Sequence, residues 1–135
     1  MKKLLCSLVA GTLLGAAATA IAEEPLAYIV SPANGATVKS PVTVVFGLRA
    51  PWGVAPAGIQ IEGTGHHHLL VDAPLPDLSK PIPKDDQHIH FGKGQTETVL
   101  KLAPGKHTLQ LLLGDFAHMP HQTPVKSEVV TITVE

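Results

Sequence analysis

Apolar and polar positions alternate along this chain in short runs, and no segment sustains a 3.6-residue period, so the pattern predicts strands rather than helices. Val42, Val44, Phe46 and Leu48 alternate with Thr43, Val45 and Gly47, a half-buried strand over 42–48 opened by Pro41. Residues 28–30 form a short strand closed by Ser31-Pro32, and Asn34-Gly35 supplies turn chemistry. Residues 51–58 (PWGVAPAG) read as a loop with Trp52 at its tip, and 59–62 as a strand fragment. Strands are predicted over 65–72 (GHHHLLVD) and 88–91. Between them Pro74, Pro76, Pro81 and Pro83 exclude a helix or a central strand. Gly92-Lys93-Gly94 is a turn into a strand over 96–102, and Ala103-Pro104-Gly105 turns into another over 107–113. Residues 114–124 make a loop, and 127–134 a last strand with Val130, Ile132 and Val134 inward. Seven to eight strands at this spacing predict an all-β, immunoglobulin-like β-sandwich.

Five of the eight histidines fall in GHHHLLVD and QHIHFGKG. Side chains on a strand alternate between faces. If Leu69 and Val71 point into the core, so does His67, while His66 and His68 take the opposite, outer face. If Ile89 and Phe91 point inward, His88 and His90 are outside as well. Topology narrows the set further. In an immunoglobulin-like sandwich the third strand lies antiparallel to the sixth. The start of GHHHLLVD then meets the end of HTLQLLLGD and the HMPH loop that follows it. His66, His68, His90, His118 and His121 converge at that rim together with Trp52, and His88 lies one step further away.

Imidazoles at i and i+2 on a strand stand about 6.5–7 Å apart at the backbone and can share one ion. The expected metal ligands are His66, His68, His88, His90, His118 and His121, with Asp115 and Met119 as further donors. Imidazole suits copper(II) or zinc, and intrinsic affinity favours copper(II). Copper(I) is disfavoured, because Met119 is the one sulfur donor after the leader. The alternative is that these rings bond loop backbone or form a surface that docks a partner, with a pH dependence where imidazole titrates. His67, facing the core, is expected to find a backbone carbonyl. His107, at the start of the sixth strand and the far end from the cluster, is expected to be structural.

The start of the chain sets the compartment. Lys2 and Lys3, the apolar run from Leu4 to Leu14 and Ala20-Ile21-Ala22 read as a cleaved secretory signal peptide over 1–22. Residues 23–135 remain as one domain. Losing Lys2 and Lys3 takes Lys+Arg from 10 to 8 against 11 acidic residues, a formal charge of −3. Nucleic acid is not the partner of such a chain. Cys6, the sole cysteine, leaves with the leader, so the domain has no disulfide and no thiolate chemistry. A periplasmic or secreted protein is expected, with no membrane insertion after cleavage. No Ser/His/Asp, Cys/His, P-loop or dinucleotide signature is present.

The segments SPANGATVKSPV, GHHHLLVD, QHIHFGKGQTET, LAPGKHTLQLLLGD, HMPH and SEVVTITV resemble a family of exported bacterial proteins, the domain of unknown function numbered 4399. The resemblance runs from about Ser31 to the C-terminus. It implies a compact exported domain and transfers no catalytic role. The combined expectation is a histidine-rich domain that binds copper(II) or zinc for buffering, delivery or sensing. The alternative is a metal-free envelope interaction module. A small metallo-enzyme ranks below both.

Overall fold

Nine strands and no helix occur among residues 23–135, which a computed structural model describes. The signal peptide expected over 1–22 lies outside the described residues. The strands are β1 (Ala27–Ser31), β2 (Thr37–Val38), β3 (Val42–Leu48), β4 (Gly53–Val54), β5 (Thr64–Val71), β6 (His88–His90), β7 (Glu97–Leu100), β8 (Gly105–Gly114) and β9 (Val130–Val134). One sheet has the order β1-β3-β7, and the other β2-β9-β8-β5-β4, with β6 also paired to β5. Among the described residues, no helix is long and apolar enough to cross a membrane.

The two sheets close on a shared core. Val42, Val44, Phe46 and Leu100 from the first meet Leu69, Val71, Leu109, Leu111, Leu113, Val130 and Ile132 from the second. The alternation read from the sequence is the cause: every second residue of β3 and β9, and of β8 from Leu109 onward, is apolar and turned inward. One predicted strand is absent. Residues 59–61 are irregular and lead into a turn at Glu62-Gly63, where the Thr64 N–H and hydroxyl both donate to the Ile61 carbonyl, at 3.3 and 2.8 Å. The pairing appears instead at β4, parallel to the start of β5.

The outer face of the larger sheet is not open. Leu70 and Leu112, on the side opposite the main core, pack with Ile82 in a second apolar cluster flanked by Ala73, Leu75 and Leu78. The proline-rich segment after β5 therefore folds back as a roof, and every residue of β5 after Thr64 is buried. The expectation of an outward histidine face is corrected here. His66 and His68 do stand opposite the core, yet they are 0% and 1% exposed.

Candidate metal centre

Strand register assembles the site. β5 pairs antiparallel with β8 and β6, placing His68 between Leu112 and His90, and His66 opposite Gly114. The loop leaving β8 brings His118 back over the same face. Ring centres of His66 lie 4.8 Å from His68, 4.9 Å from His90 and 4.9 Å from His118. Those of His68 and His90 are 5.2 Å apart, His90 and His118 4.8 Å, and His68 and His118 6.0 Å. Ligand nitrogens of His66, His68 and His90 all lie within 4.8 Å of one another, a group that can hold a metal ion. His118 Nε2 stands 3.1 Å from His90 Nε2.

Two glycines leave the space these rings fill. A Cβ on Gly114 would meet His68 Cε1 at 2.8 Å and Ile82 Cδ1 at 3.1 Å. A Cβ on Gly92 would overlap the His90 ring. Neither has a positive φ, so the requirement is for room. His118 is held by its backbone. It adopts φ 66°, rare for a residue with a Cβ. Asp115 Oδ1 accepts from the N–H of Ala117 at 2.8 Å and of Met119 at 2.9 Å, which shapes the turn on both sides of His118. The Ile82 N–H donates to the His118 carbonyl at 2.8 Å, locking this turn to the roof.

The electrostatics follow from burial. Both ring nitrogens of His66 and of His68 lack a hydrogen-bond partner. A buried polar group in that state costs about 1–3 kcal/mol. Burial first, and the neighbouring imidazoles second, push His66 down to about 4 and His68 to about 3. His90 is lowered as well, by burial first and then by His118 and the Lys84 charge. At neutral pH His66 and His68 are uncharged and each keeps a free lone pair, the form that binds metals, while the Nε2 atoms of His90 and His118 share a hydrogen bond.

The other expected donors stand elsewhere. His88, opposite Leu70, gives its Nδ1 to Asp85 Oδ1 at 2.8 Å. His121 lies on the core side of the sheet, its ring tilted against Trp52 with centres 4.4 Å apart and Nε2 over the bare face of Gly65. It is therefore separated from His118 by β5 itself, although only Met119 and Pro120 intervene in sequence. Asp115 shapes the loop through Oδ1, and its charge acts on His66 and His121, opposing the effect of burial on both. His67 lacks the expected carbonyl. Both its nitrogens are unpartnered, its ring packs 5.2 Å from Phe46, and burial lowers its pKa to about 4. A side chain standing perpendicular to a sheet meets the opposite layer, while backbone acceptors lie in the plane of the sheet. His107, at the far end of β8, binds Asp72 Oδ2 through Nδ1 at 2.6 Å and the Ala103 carbonyl through Nε2 at 2.8 Å.

Gly92, Gly114 and Ile82 are the residues that sequence reading missed. A signal for the first was present, since Gly92 follows His90 at the same strand parity. The family model for the domain of unknown function DUF4399 matches residues 44–135, a span that contains every residue of the cluster. The chain belongs to this family. Neither a curated protein nor a solved structure matches it.

Proposed function

We propose that this protein is an exported, immunoglobulin-like domain that binds a transition metal, copper(II) or zinc, through His66, His68, His90 and His118, for buffering, delivery or sensing. Export rests on the leader-like residues 1–22. The fold assignment is supported by strand order: the first, second and fifth strands of an immunoglobulin-like domain share one sheet, the third, sixth and seventh the other. With β2 and β4 as short additions and β6 as an extra edge strand, β1-β3-β7 and β9-β8-β5 follow that order.

One observation carries the metal reading. Four imidazoles from three separate segments crowd one roofed pocket, and the two innermost have no partner for any ring nitrogen. The hydrophobic effect alone does not select such a group. Four leucines would fill the same space without the desolvation penalty.

The test is titration of tag-free residues 23–135 with zinc and copper(II), following heat of binding and melting. A ligand restricted to the native state adds about 2.7 kcal/mol at 100 times its Kd. His66→Ala, His68→Ala and His90→Ala should each abolish stoichiometric uptake. Absence of uptake by the unaltered protein would favour docking of an envelope partner. That second reading has its own observation: a cleft of about 460 Å³ lined by Trp52, Ile61, Phe116 and His121, with Ile61 and Phe116 exposed.

A further inference from the structure

The arrangement of the four rings discriminates between the two metals, given that the site binds a metal at all. An ion about 2.0–2.1 Å from each nitrogen, on the lone-pair axis, stands roughly 3.2 Å from each ring centre. In a tetrahedral complex all six distances between ring centres are then equal, at about 5.2 Å. In a square-planar complex four are about 4.5 Å and two, the diagonals, about 6.4 Å. The diagonals of a square share no corner, so they must be long together.

Five of the six distances here lie between 4.8 and 5.2 Å, and one, His68 to His118, is 6.0 Å. The pair that shares no corner with it is His66 to His90, at 4.9 Å. A square requires that distance to be long. It is among the short ones. The figure is a tetrahedron stretched along one edge, His68 to His118.

We infer that His66, His68, His90 and His118 form a closed tetrahedral four-nitrogen centre that selects zinc over copper(II). Zinc has no d-electron preference and takes four tetrahedral nitrogens readily, whereas copper(II) prefers a tetragonal plane. Flattening the site would have to drive His66 and His90 apart, and both stand on paired strands, β5 and β6. Copper(I) shares the tetrahedral preference but favours sulfur donors, and all four ligands here are imidazole nitrogens. Four protein ligands also leave no position for a water or substrate. The centre is therefore built to hold an ion rather than to activate a nucleophile.

Cobalt(II) reports the geometry. Loaded into the tag-free protein, it should give the intense visible absorption of a four-coordinate ion, and one equivalent of zinc should bleach it. His118→Ala should weaken zinc binding at least about 100-fold, since even outer-shell changes cost 10–100-fold. His118→Asn, which tolerates the left-handed backbone, should do the same while keeping the native melting profile without metal. A pale six-coordinate cobalt spectrum in a tightly bound complex would overturn the tetrahedral centre and leave the metal site standing. So would a planar four-nitrogen copper(II) signal in electron paramagnetic resonance, or unchanged zinc affinity in both variants. Failure of every ion to bind would overturn the metal reading along with its geometry.

Discussion

The two ends of the β5–β8 ladder both carry histidine. At the start of β8, His107 has both ring nitrogens engaged, by the Asp72 carboxylate and the Ala103 carbonyl, and these hydrogen bonds raise its pKa. At the other end, His66 and His68 are more deeply buried, have no partner, and have their pKa values lowered. Asp72 also accepts from the Thr108 N–H at 2.8 Å, so the His107 end is a completed network that ties β5 to β8. The cluster end is incomplete by the same accounting. A satisfied histidine is explained by the fold, and an unsatisfied group of them calls for a ligand.

The largest expected effect separates the ends by pH in the metal-free protein. His66, His67 and His68 have folded pKa values lowered to about 4, 4 and 3. Below about pH 6.5 the unfolded rings take up protons that the folded rings refuse. Stability is thus fully present above that pH and declines as the pH falls toward 4. Each ring removes about 1.4 kcal/mol per pH unit in that window, several kcal/mol for the three together. His107 has the opposite sign, its contribution full below about pH 6.5 and lost as pH rises through its raised folded value. Urea midpoints measured from acid to mildly alkaline pH check both limbs. A profile flat on the acid side would mean that water reaches the cluster.

Glycine substitution sharpens the contrast. Gly114→Ala places a methyl against His68 and Ile82 and should lower stability by about 1–3 kcal/mol, with loss of zinc uptake. Gly105→Ala, at the other end, meets nothing within 4 Å but sits at φ 128°. It should strain the turn and leave uptake intact, which calorimetry of the two variants would establish.

His107→Ala removes two hydrogen bonds and should cost about 1–2 kcal/mol, with metal affinity unchanged. A fall in affinity would show that the two ends are coupled through β8. Smallest is His88→Ala, whose partner Asp85 is exposed and screened by water, so stability should hardly move, again without effect on zinc. Loss of uptake there would return His88 to the ligand set.

Much of the site could be read in advance, and the failures are instructive. Parity alone put His66, His68 and His90 on one face and His67 on the other, because a strand has no freedom in that respect. Antiparallel pairing of the third and sixth predicted strands was enough to bring His118 to them. The roof was not legible: four prolines say what a segment cannot form, not where it packs, and the Leu70–Ile82–Leu112 cluster depends on contacts distant in sequence. Nor was the separation of His118 from His121. HMPH reads as one loop with two donors, but β5 passes between their side chains.

What the sequence determined by itself is therefore the periodic part: which residues alternate, which faces they share, and that imidazole is the chemistry on offer. Tertiary structure alone decided that His121 stands apart from the other rings, how deeply they are buried and in what figure they stand. The physical reason is that side-chain direction on a strand is set by local covalent geometry. Solvent exclusion and the distances between rings arise only when segments far apart in the chain pack together.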